Sequence, residues 1–109
     1  MGYIIGGVDH EVDEQGYLLE PVLDDEAVRV IALAEDIVLT DAHWEVVNFL
    51  RDQYREHGHT PNFRNMLKAL AEIHPDMDSK ALYDLFPVGP AKQGPKVAGL
   101  PQPLGKGGY

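Results

Sequence analysis

The sequence contains no cysteine. That absence excludes disulfides, thiolate-bound zinc, cysteine-ligated iron–sulfur clusters and every thiol nucleophile. Basic residues are scarce too: nine Lys and Arg stand against eighteen Asp and Glu, a net charge of −9. The deficit is local. All eighteen acids lie at or before Asp84, accompanied there by six bases, so that stretch carries −12, while Lys92, Lys96 and Lys106 leave the remainder at +3. An acidic body repels a phosphate backbone, and three tail lysines would give a salt slope of only about −2.7 on duplex DNA. Long apolar runs are missing as well, and nothing approaches the ~18 residues of a membrane span. The opening MGYIIGGVDHEVDE lacks the basic flank and apolar stretch of a secretory signal. A cytoplasmic protein is expected.

What is present fits one domain of 109 residues, 44% hydrophobic and 25% charged, which is ordinary globular usage. Residues 3–19 read as a β-hairpin or ribbon. Tyr3-Ile4-Ile5 precede a Gly6-Gly7 turn, and Val8 to Val12 alternates apolar with polar. Such a ribbon needs helices to lie on. A first helix is predicted from Asp24 or Asp25 to about Asp36, with a Val28, Ile31, Ala32 stripe and acids at its positive end. A second spans Thr40 to about His57 with Gly58 as its stop, and Val46, Val47, Phe49, Leu50 and Tyr54 place it at the centre. In the third, Thr60 is the expected cap and Pro61 the first helical residue, followed by Phe63, Met66, Leu67 and Leu70 at helical spacing. A short fourth runs from Asp78 or Ser79 to Phe86.

Composition changes after Phe86. Pro87, Pro90, Pro95, Pro101 and Pro103, with six glycines from Gly89 onward, leave room for one or two helical turns around Lys92–Ala98. From Gly99 to Tyr109 an extended arm is expected, able to span about 35 Å. The fold class is therefore mainly α: a compact helical bundle with a small N-terminal β-hairpin and an extended C-terminal arm. Residues 1–98 form the body and 99–109 the arm.

No catalytic or metal constellation emerges from the residues. His57 and His59 are the closest of five histidines, but two ligands in a helix-end turn do not make a zinc site, and no HExxH spacing occurs. Asp9, Glu11, Asp13 and Glu14 miss the spacing of a calcium loop and suit a solvated strand edge. Asp41, His43 and Glu45 point apart on a helix and cannot converge on a substrate. The glycines near the end lack the strand and helix of a P-loop. The second and third helices resemble a helix-turn-helix in outline, yet the third offers only Arg64 and Lys68 as bases.

Three segments carry a family resemblance: Val12-Asp-Glu-Gln-Gly-Tyr-Leu18, His43-Trp-Glu-Val-Val-Asn-Phe-Leu-Arg51, and Leu82-Tyr-Asp-Leu-Phe-Pro-Val-Gly-Pro-Ala-Lys-Gln93 continuing to Lys96-Val-Ala-Gly-Leu-Pro-Gln-Pro103. In this order they resemble the DsrC/TusE/DsvC family, sulfur-carrier proteins of sulfur relay and of dissimilatory sulfite reductase, from about Val8 to Gly105. The resemblance implies a helical bundle with an N-terminal hairpin and a mobile arm. It also implies that the arm carries the chemistry, through a cysteine near the C-terminus and, in some members, a second one upstream. Those positions here are Lys106 and Pro95, and neither side chain can hold a persulfide.

Carrier activity is therefore not inherited with the fold. The leading expectation is a non-enzymatic, cofactor-free binding or regulatory partner of a sulfite reductase, a sulfurtransferase relay or a heterodisulfide-reductase-like complex. The alternatives are a relay component whose sulfur is held by a partner, and a DNA-binding regulator using the helical pair. The resemblance places Arg51, Arg64 and Lys92 near the arm or its groove. Lys96, Leu100, Pro101 and Lys106 on the arm segment complete the expected partner-binding set.

Overall fold

The computed structural model describes residues 2–103. β1 (Gly2–Ile5) and β2 (Val8–Glu11) pair antiparallel with Tyr3 opposite His10, and a Val12–Leu18 bridge extends the ribbon. Gly6 and Gly7 both take positive φ, 59° and 80°, as a two-residue hairpin turn requires. The Gly6 amide donates to Glu26 Oε2 at 2.8 Å, tying the turn to the first helix.

Five helices follow: α1 (Asp25–Ala34), α2 (Asp41–His57), α3 (Phe63–Ile73), α4 (Ser79–Leu85) and α5 (Pro90–Val97). α1 begins where Asp24 accepts the Glu26 amide, and α2 ends at Gly58 in the left-handed conformation. The α2 start is a reciprocal cap. His43 Nδ1 accepts from the Thr40 amide at 3.0 Å and lies 2.8 Å from Thr40 Oγ1, while Nε2 lies 2.9 Å from the Leu85 carbonyl. A carbonyl only accepts, so Nε2 carries the proton. His43 thus fastens α2 to α4, with its ring edge-on to Phe86.

One expectation is corrected. The cap of α3 is Asn62, whose side chain accepts the Asn65 amide at 2.9 Å; Thr60 and Pro61 precede the helix, and Thr60 Oγ1 is buried with no hydrogen-bond partner among the described residues. The proline-rich stretch forms α5, about the two helical turns expected there, and it packs on all four other helices. Gly89, at φ 136°, accepts the amides of Lys92 and Gln93 through its carbonyl, and Pro90 opens the helix, where its missing N–H costs nothing. α5 is central because its residues are small. A Cβ added at Gly94 would stand 3.0 Å from Leu50 Cδ1, so a larger residue there would push the leucine aside. Around it Val28, Ile31, Val46, Val47, Leu50, Met66, Leu70, Leu82 and Phe86 form the core.

Candidate functional site

The site expected from the sequence centred on the arm, and the structure shows how the arm's first residues are held. Gly99 turns the chain at φ 81°; its carbonyl accepts the Val22 amide at 2.8 Å, and the Leu100 amide returns to the Pro95 carbonyl at 3.0 Å. Leu100 is fully buried in the core. The segment expected to leave the body at Gly99 therefore remains part of it through Leu100. Beyond, Gln102 Nε2 donates to Gln15 Oε1 at 2.8 Å, laying the chain against the loop after the hairpin.

Arg51 is the main clamp. It is 4% exposed and donates from Nε to the Ala98 carbonyl (3.3 Å), from Nη2 to the Asp24 carbonyl (2.9 Å) and from Nη1 to Asp25 Oδ1 (3.0 Å). One guanidinium thus joins α2, the start of α1 and the end of α5. Arg51 and Leu100 were expected to face a partner. Both point inward instead, because the planar fork finds its acceptors inside and the leucine finds a core.

A second polar cluster lies on the other side of α5. Lys96 Nζ stands 3.7 Å from Glu35 Oε2 and 5.2 Å from the centre of the Tyr17 ring. Gln93 donates to Glu35 Oε1 at 3.0 Å and accepts the Val88 amide at 3.1 Å. The Tyr17 hydroxyl donates to the Lys92 carbonyl at 2.8 Å. Burial, reinforced by the charges of Asp13 and Glu35, pushes that hydroxyl up to about 12. Glu35, Gln93 and Tyr17 were not singled out from the sequence. The only signal was their place in two of the family-like segments, Val12–Leu18 for Tyr17 and Leu82–Gln93 for Gln93; Glu35 gave none.

The remaining expected residues are spread out. Arg64 is exposed in the first turn of α3, and Lys92 is exposed on α5 beside the Phe63–Tyr83 pair. Pro101 is half-buried. Lys106 lies outside the described residues. His57 and His59 stand with ring centres 6.1 Å apart, and among the described residues no three His, Asp or Glu side chains converge as a metal site. No helix among them is long and apolar enough to cross a membrane.

A hairpin laid on a small helical bundle, with the chain's own carboxyl-terminal segment pinned into the body by a buried arginine, defines the class. The chain belongs to the DsrC family: the family described as DsrC like protein matches residues 4–105. It is 49% identical over 102 residues to the Haemophilus influenzae protein named sulfurtransferase TusE homolog, covering 91% of this chain and 94% of that one. It is 45% identical over 104 residues to sulfurtransferase TusE of Escherichia coli, covering 93% and 95%. Among solved structures, the solution structure of Allochromatium vinosum DsrC superposes with a TM-score of 0.85 at 38% identity, covering 96% of this chain and 97% of that one. The oxidized gamma-subunit of dissimilatory sulfite reductase from Archaeoglobus fulgidus gives 0.78 at 34% identity, covering 94% and 97%.

Proposed function

We propose that this chain acts in sulfur metabolism as a non-catalytic binding or regulatory partner of a sulfite reductase or sulfur relay complex, and carries no persulfide itself. One observation carries the reading: the family match extends over residues 4–105, yet the sequence has no cysteine. A persulfide needs a thiolate sulfur to accept the transferred atom. Proline and lysine stand at the two positions where the resemblance puts thiols. The anchored root of the arm supports a docking role, because prolines that already fix φ lower the entropy lost when an extended segment enters a groove.

The test has two arms. The chain is incubated with a sulfurtransferase and its persulfide donor and weighed intact, and it is presented as bait to a purified sulfite reductase and to a sulfur relay complex. Unchanged mass with retention of one complex is the expected result. A reducible mass increase of one sulfur would overturn the non-carrier reading. Failure to retain either complex would overturn the partner reading. Persulfide that appears on a retained partner, and turns over faster with this chain present, would favour a relay component whose sulfur is held elsewhere.

A further inference from the structure

We propose that the groove between the end of α2 and the start of α3 binds a small tetrahedral oxyanion of the sulfate or phosphate type. Its lining is Gln53 and His57 of α2, His59, Thr60 and Pro61 of the connection, and Asn62 and Asn65 of α3, around a volume of about 460 Å³. In a chain with twice as many acids as bases, this lining holds no carboxylate. The groove beside α1 and α4 is lined by Glu35, Asp36 and Asp84, and the one beside Ile73 by Glu45 and Asp52. A lining without carboxylates, which only the groove beside Lys92 shares among these four, does not repel an anion.

Two further observations supply the donors. Asn62 caps the eleven-residue α3 by taking the Asn65 amide on its side chain and the Met66 amide on its carbonyl. The amides of Phe63 and Arg64 are left without an acceptor among the described residues, at the end of the helix where its dipole is positive. Independently, Thr60 is 6% exposed, and its Oγ1 is the one buried side-chain polar atom among the described residues with no hydrogen-bond partner. A buried hydroxyl without a partner is costly, and a water or an anion oxygen seated in the groove would satisfy it. The amide side chains of Gln53, Asn62 and Asn65 add neutral donors, and His57 and His59 add imidazoles. Glu56 Oε1 stands 3.9 Å from His57 Nε2 and lies outside the lining. The groove involves neither the arm nor a protein partner, so anion binding there is independent of the proposed function.

The experiment is a titration of the ¹⁵N-labelled full chain, followed by amide shifts and by thermal melting, at constant ionic strength against chloride. The probes are sulfate, thiosulfate, inorganic phosphate and adenosine monophosphate. The expected result is saturable movement of the Phe63 and Arg64 amides with a rise in melting temperature, since a ligand of the native state stabilises it. Both should be lost in Thr60→Val, which removes the hydroxyl while keeping the shape. Thr60→Val without anion should melt no lower than the parent, because it deletes an unsatisfied group. His57→Ala combined with His59→Ala, both near the surface, should weaken binding without changing the fold. Tighter binding of thiosulfate identifies a sulfur oxyanion, and tighter binding of the nucleotide identifies a phosphate ester. Shifts that grow linearly with every salt, or survive Thr60→Val unchanged, overturn the proposal.

Discussion

Replacing Arg51 by methionine tests the clamp most directly. Methionine keeps an unbranched stem in place of the arginine's methylenes and removes the guanidinium. The Ala98 carbonyl then loses its donor, at a cost of about 1–3 kcal/mol for a buried group. The Asp24 carbonyl still accepts the Ala27 amide at 3.0 Å, so its loss is the net worth of one hydrogen bond, about 1 kcal/mol. Asp25 has a 62% exposed side chain, and its ion pair contributes about 0–1 kcal/mol. Relief of the arginine's own desolvation works the other way. Arg51→Met should therefore lose about 2–4 kcal/mol, which for a domain of this size lowers Tm by roughly 8–25 °C. Urea denaturation followed by circular dichroism should show a lower midpoint at unchanged slope, with Arg51→Lys between the two because ammonium keeps the charge without the fork. A variant within ~0.5 kcal/mol of the parent that no longer binds a partner would refute the reasoning, since it would make Arg51 an external contact.

Truncation separates the root of the arm from its tip. Ending the chain after Ala98 removes Leu100, worth about 1.5–3 kcal/mol if its burial is lost, together with the Gly99–Val22 bond, whereas ending it after Pro103 should leave the melting curve unchanged; equal stability of the two would show that Leu100 adds nothing. Tyr17 binds its proton more tightly in the folded chain than the ordinary value of 10, so its share of stability is whole below pH 10 and is lost as pH rises towards 12. A tyrosinate absorbance difference between parent and Tyr17→Phe that develops only above pH 11 is expected, and one complete by pH 10.5 in the folded protein would contradict the burial argument. Fluorescence anisotropy with duplex DNA at physiological salt should show weak binding without sequence preference, and a nanomolar specific site would restore the regulator reading.

The hairpin, α2 and the inner stripe of α3 were legible because local chemistry dictated them: paired glycines at a two-residue turn, a threonine cap with a glycine stop, and apolar residues at helical spacing. α5 was legible only as one or two possible turns, and its central place was not, for the opposite reason. Pro-Ala-Lys-Gln-Gly-Pro-Lys-Val has little helical propensity of its own, and its helix exists because small residues let four neighbours close around it. Arg51 reads as a surface base in sequence, since its acceptors lie 26 to 47 positions away and only the fold brings them together. Thr60 and Asn62 are both good caps, and which of them capped α3 was settled by where the backbone turned. The Glu35–Gln93–Lys96–Tyr17 cluster left no periodic trace, because its members come from three separate segments.

The Gln15–Gln102 contact changes the geometry available to the chain's end. Measured from Gly99, Lys106 could range over seven residues, about 23 Å at ~3.3 Å each; measured from Pro103, which is buried beyond that contact, it ranges over three, about 10 Å. Whatever receives Lys106 must therefore come to the hairpin end of the molecule and settle near the loop carrying Gln15. The tether thus selects which side of the bundle a partner can approach.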